Sequence, residues 1–133
     1  MIKQFPQIIS VLIFGIIIFQ SFLVAPSINK LISTEESRIL LRYIWPKFFL
    51  IISILSIISI LILYSDSNHS NSTKYYMITS FVLMISCFFI TPIINNAKDT
   101  SNEQLWMLLH LSTIILTFIT LILNTLNIIF WKY

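Results

Sequence analysis

The chain has 133 residues, 57% of them apolar and 10% charged, with a formal net charge of +3. A soluble domain carries about 25% charged residues, and one this short could not hide so much apolar surface inside itself. The eight Lys and Arg are scattered through polar segments and form no basic stripe, so a nucleic-acid surface is excluded as well.

Four stretches, residues 4–29, 48–65, 75–97 and 104–131, hold no Asp, Glu, Lys or Arg. A hydrocarbon core ~30 Å thick takes about 20 residues of helix at 1.5 Å each, so the expected class is all-α and membrane-spanning. One domain, residues 1–133, is predicted as a four-helix antiparallel transmembrane bundle with spans at about 6–25, 46–64, 75–92 and 104–131.

Taken in chain order, Pro6 suits the first turn of span one, where a missing N–H costs nothing. Met1-Ile2-Lys3 followed by an apolar run resembles the start of a signal peptide. The run is longer than the usual h-region and Pro26 follows directly, so a retained helix is expected. Pro26 is expected to end it. Loop one follows, with Lys30, Glu35, Glu36, Arg38 and Arg42. Ser33 or Thr34, with Glu36 or Ser37 beyond, predicts an N-cap and a short amphipathic helix over 34–44. Pro46 is expected to open span two. A polar hairpin loop over 65–73 leads to span three, expected to stop at Pro92. Loop three spans 93–102, and span four starts near residue 104.

All three Trp and all five Tyr fall at predicted span ends. Tyr43, Trp45 and Trp106 belong to one side; Tyr64, Tyr75, Tyr76, Trp131 and Tyr133 to the other. Such rings prefer the headgroup level. Loops one and three hold Lys30, Arg38, Arg42, Lys47 and Lys98, against Lys3, Lys74 and Lys132 opposite. That bias predicts loops one and three in the cytoplasm and both termini outside. The expected location is a cell inner membrane.

An offset of 66 residues aligns Phe22, Pro26, Ile28, Asn29 and Thr34 with Phe88, Pro92, Ile94, Asn95 and Thr100. Two repeated hairpins of like orientation would produce that match; so would chance among Ile-rich segments.

Span four carries a polar stripe. Glu103, Trp106, His110, Thr113, Thr117, Thr120, Asn124, Asn127 and Trp131 recur at spacings of three and four. This face is expected to look inward and bond across helices. The candidate partners are Ser53, Ser56 and Ser59 on span two, Gln7, Ser10 and Ser21 on span one, and Thr79, Ser86 and Cys87 on span three. Structural glue is the leading expectation for the stripe, with a polar path for a small solute as its rival. His110 is an ionisable group within a span, hence a functional candidate. It is the one weak cofactor-binding candidate, since the other His, His69, is expected on the opposite side. With one Cys and no carboxylate inside a span, no metal site and no cofactor are expected. Cys87 is expected as a small core residue without a disulfide. No catalytic set can be assembled on one side, so no enzyme is expected.

Two segments carry a family resemblance. Phe19-Gln-Ser-Phe22-Leu-Val24-Ala25-Pro26 continues through Leu31, Leu40 and Leu41 to Trp45-Pro46-Lys47-Phe48-Phe49. Thr91-Pro92-Ile93-Ile94-Asn95 is followed by Leu109-His110-Leu111-Ser112. In order and spacing along the chain these resemble the small bacterial membrane family called domain of unknown function 4149, which is related to the eukaryotic transmembrane protein 205. Trp45, where the family usually has Phe, and Glu36-Ser37, where it has small residues, depart from its pattern. The resemblance implies a four-helix integral membrane protein without an assigned activity, with His110, Pro26, Pro46 and Pro92 as positions of interest. The expected function is a non-enzymatic membrane component whose partners are lipid and either further copies or other membrane proteins. The alternatives are an oligomeric small-solute transporter or channel, and a haem- or quinone-linked redox subunit using His110.

Overall fold

The structure, a computed structural model, describes residues 4–65 and 70–131. The expectations for Lys3, His69, Lys132 and Tyr133 lie outside these residues. Helix α1 (Phe5–Phe19) runs into a π turn (Gln20–Val24), then α2 (Ala25–Leu31). Three further helices follow, α3 (Thr34–Ser65), α4 (Asn71–Asp99) and α5 (Glu103–Ile129). The described residues contain no strand. The joined run Phe5–Leu31 and helices α3, α4 and α5 are each long and apolar enough to cross a membrane.

Three prolines expected to bound spans lie inside helices instead. The first run does not stop at Pro26. Its π turn sends the Ala25 N–H back five residues to the Gln20 carbonyl. The wider turn makes room where the proline ring would otherwise collide with the preceding turn. Pro46 lies within α3, so residues 34–44 form the first turns of span two rather than a separate amphipathic helix. Pro92 lies within α4, which continues to Asp99. Most of the segment expected as loop three is therefore helical. The physical reason is the solvent: a membrane helix keeps its fold through a proline because its remaining backbone bonds have no water to compete for them. Helix α5 begins at Glu103 and ends at Ile129.

Ser33 caps α3. Its hydroxyl accepts from the Glu36 N–H at 3.4 Å, an N-cap bond, and donates to the Glu36 carboxylate at 2.6 Å. The turn between α4 and α5 is equally specified. Ser101 adopts φ 57°, its N–H reaches the Lys98 carbonyl, and the Asn102 N–H reaches the Ala97 carbonyl. That is a Schellman motif. Asn102 also caps α5, accepting from the Leu105 N–H at 3.2 Å.

Helix α3 packs on α4, α4 on α5, α5 on α1 and α1 on α3. Each long helix thus touches two others. Ile9, Ile13, Ile17, Phe48, Phe49, Ile52, Met84 and Cys87 form a shared apolar cluster, with Cys87 a buried free thiol. The rest of the burial is inside-out for a water-soluble protein. Ser10, Ser56, Ser59, Ser80, Thr120 and Asn124 are fully buried, while Phe19, Phe89, Phe118 and many Ile and Leu are exposed. Only 17–39% of the most apolar window of each spanning helix is buried.

Lysines sit over aromatic rings at both ends. Lys47 lies over Tyr43, Lys98 is 4.1 Å from the Trp106 ring centroid, and Lys74 is 5.3 Å from that of Tyr64. These are positions where an amphipathic ring and a long basic side chain would share a membrane surface.

Candidate functional site

On α5, Thr113, Thr120, Asn124 and Asn127 are buried, Trp106, His110 and Thr117 are half-buried and Glu103 is exposed, and the two halves of the stripe do different things. Near the chain termini, Asn127 donates to the Ser10 hydroxyl at 2.7 Å, and Ser10 donates on to the Pro6 carbonyl at 3.1 Å. One turn earlier, Asn124 donates to the Ser80 hydroxyl at 3.1 Å and to the Thr120 carbonyl at 2.8 Å. Gln7 reaches the Ile128 carbonyl at 3.4 Å. These bonds tie α5 to α1 and α4. Each buried asparagine uses only its amide N–H; Asn124 Oδ1 and Asn127 Oδ1 have no hydrogen-bond partner.

Several expected partners do other work. Ser53 bonds back to the Phe49 carbonyl, and Ser86 to the Val82 carbonyl. Ser56 and Ser59 are buried without a partner. They line α3 with small side chains, which lets helices approach closely. Thr79 is exposed; its neighbour Ser80 is the group that reaches Asn124. One position along a helix is a 100° rotation, and that is the whole error. Thr113, Thr117 and Thr120 bond to carbonyls of their own helix at His110, Thr113 and Leu116.

At the loop-one end the four spanning segments part around a cavity of about 380 Å³. Helix one supplies Ile17, Ile18, Ser21 and Phe22. Helix α3 supplies Leu41, Arg42, Trp45 and Phe49, and α4 supplies Thr91, Ile94 and Asn95. Helix α5 supplies His110, Thr113, Ile114, Thr117, Phe118 and Leu121. The lining is mostly apolar, with Arg42, Asn95 and His110 among its polar groups. Asn124 and Asn127 are not part of it, so the stripe does not line one continuous polar path.

Arg42 lines the cavity at that end. Its Nη1 donates to Asp99 Oδ2 at 3.1 Å, its Nη2 to Asp99 Oδ1, and Nη2 also to the Asn95 carbonyl at 3.5 Å. Arg38 stands 3.6 Å from Asp99 and 3.3 Å from Glu35. Lys98 pairs with Glu103 at 2.9 Å. His110 lies flat against Trp106, with ring centroids 5.4 Å apart and planes 6° from parallel. Lys98, Trp106 and His110 therefore form a column descending into the cavity. Among the described residues no three His, Cys, Asp or Glu converge on one point.

Pro26 and Pro92 face outward and Pro46 is half-buried; none lines the cavity. The structural feature beside the cavity that sequence reasoning missed is the π turn, which carries no residue signature of its own.

No curated protein and no solved structure matches the chain. One family model does, over residues 8–103. That stretch includes the π turn, both internal prolines of α3 and α4, and the Arg42–Asp99 pair. It stops short of the Leu109–Ser112 segment, so His110 lies outside the matched region. The match covers well over half of the chain, which therefore belongs to the family described as Domain of unknown function (DUF4149).

Proposed function

We propose that this chain is a non-enzymatic component of a bacterial inner membrane, an antiparallel four-helix transmembrane bundle that associates with further copies of itself or with other membrane proteins. A kinship of its family with eukaryotic transmembrane protein 205 belongs to the same reading. The observation that carries it is the inverted burial: Ser10, Ser56, Ser59, Ser80, Thr120, Asn124 and Asn127 inside, while Phe19, Phe22, Phe89, Phe118 and many Ile and Leu are outside. That pattern is stable only where the surroundings are as apolar as the exposed side chains. A role in packing is favoured over a solute path, because the Asn127–Ser10 and Asn124–Ser80 bonds occupy the stripe at the terminal end.

Two repeated hairpins form part of this proposal, and burial supports them. On helix one Ser10, Ile13, Ile17 and Gln20 are buried; on α4 Met77, Ser80, Met84 and Cys87 are. These sets correspond at an offset of 67, whereas Pro26 and Pro92 correspond at 66. A π turn is a one-residue insertion in a helix, and Gln20–Val24 lies between the two registers.

Native mass spectrometry of the detergent-purified chain tests the assignment. Dimers or larger species, or a co-purifying membrane protein, are expected. A monomer at every concentration, with no partner after cross-linking in intact membranes, would remove the assembly role.

A further inference from the structure

We infer that the cavity at the loop-one end binds the head of an uncharged membrane amphiphile whose polar end accepts a hydrogen bond, with its apolar chain leaving between the π turn and α5. This rests on the membrane reading above and adds a ligand to it.

Size and shape come first. A cavity of about 380 Å³ falls within the ~300–1,000 Å³ of small-molecule sites. It opens sideways: Phe22, Ile114 and Phe118 line it, yet are 75%, 51% and 60% exposed. Helix α5 packs on α1, but α2 and the π turn make no comparable contact with α5. The π turn thus ends the close approach of helix one to α5, and the gap faces the side where lipid would lie.

The polar end selects the head. His110 reaches the cavity seven residues into α5, about 10 Å along a helix that is long and apolar enough to cross a membrane. Among the described residues no hydrogen bond reaches its ring, and its ring contact is the stack on Trp106. An imidazole there carries at least one ring N–H in either protonation state, and apolar walls make an unmet donor costly. Charge then narrows the class. Arg42 is the one Lys, Arg, Asp or Glu among the described lining residues; Asp99 and the Asn95 carbonyl take three of its five N–H groups, and Asp99 offsets its charge. An anionic head would have to compete with Asp99 for that charge; a carbonyl or hydroxyl head on His110 would not. A quinone and a monoacylglycerol share this chemistry.

Tryptophan fluorescence reads the site directly, because Trp45 lines it and Trp106 stacks on His110. The full chain in detergent micelles is titrated with decylubiquinone, with a dibrominated monoacylglycerol and with a dibrominated fatty acid. Each quenches tryptophan on contact. Saturable quenching by one neutral probe at one site per chain is expected, and the arm that saturates identifies the source. His110→Leu should weaken it at least tenfold, and Thr117→Phe should abolish it by filling the cavity. Ser21→Phe, at the exposed mouth, does the same should Thr117→Phe lose the wild-type elution and helical circular dichroism. Failure of both neutral probes to saturate, preference for the fatty acid, or binding indifferent to these variants would overturn the assignment. Recovery of the chain without detergent would instead sink the membrane reading on which it rests.

Discussion

Asn127 shows how much one side chain does when its surroundings are apolar. Its amide joins the last turns of α5 to the first turn of α1 through Ser10 and Pro6. The threonines of the same stripe return their hydroxyl protons to their own helix, so they cross no interface. Inter-helix hydrogen bonds in membrane proteins contribute on average about 0.6 kcal/mol and at most about 1.7. A Ser10→Ala/Asn127→Ala double-mutant cycle, followed by unfolding in mixed detergent micelles, should give a coupling in that range. A parallel cycle of Ser10→Ala with Thr120→Val should give none, since Thr120 bonds to Leu116. Equal couplings from both cycles would show that the Asn127–Ser10 bond is not specific. The stripe itself was legible in the sequence, because spacing alone places residues on one face. Ser10 was legible as a partner for the same reason. Ser80 was not, since its phase relative to Thr79 depends on how far α4 is rotated against α5, and no local pattern encodes that.

At the scale of elements, the number and order of the spanning helices could be read from their apolar runs, and their ends could not. Pro26, Pro46 and Pro92 were expected as breakers, a rule drawn from helices whose backbone can turn to water instead. Helix α3 has 32 residues, about 48 Å. Its first turns therefore stand clear of a ~30 Å core, carrying Glu35, Arg38 and Arg42 beyond it. The cavity was illegible because it depends on a π turn. If Gln20–Val24 is an inserted residue within an otherwise repeated helix, removing one residue should restore a plain helix with both flanks in phase. Deletion of Leu23 should then preserve membrane insertion and helix content while weakening the neutral probe at least tenfold. Loss of the folded protein would show that the turn is needed for more than the cavity. The α4–α5 turn allows a second check. Ser101 holds a left-handed conformation that costs an L-residue about 1–2 kcal/mol and glycine far less. Ser101→Gly should raise stability by roughly 1 kcal/mol, read as a higher midpoint in the same unfolding assay.

For the whole molecule, the distribution of charge bears on which way the helices run across the bilayer. The loop-one end is dense in charge but nearly self-neutralised, with Arg42 and Arg38 on Asp99 and Lys98 on Glu103. These pairs are partly exposed, and exposed ion pairs add little to stability; their weight in topology is separate from their weight in stability. Orientation follows the count of Lys and Arg near span ends, and acidic partners contribute little to it. By that count the end bearing Lys30, Arg38, Arg42, Lys47 and Lys98 should face the cytoplasm. Cysteine labelling separates the two orientations cleanly, because native Cys87 is fully buried and stays silent. In intact cells an impermeant maleimide should modify Asn71→Cys and leave Thr100→Cys untouched until the membrane is opened. Both positions are exposed in the fold and lie at opposite ends of α4. The reverse pattern would invert the protein in the membrane and move the His110 cavity to the outer leaflet. Its amphiphile would then be drawn from that leaflet, while its chemistry, set by Arg42, Asp99 and His110, would stay the same.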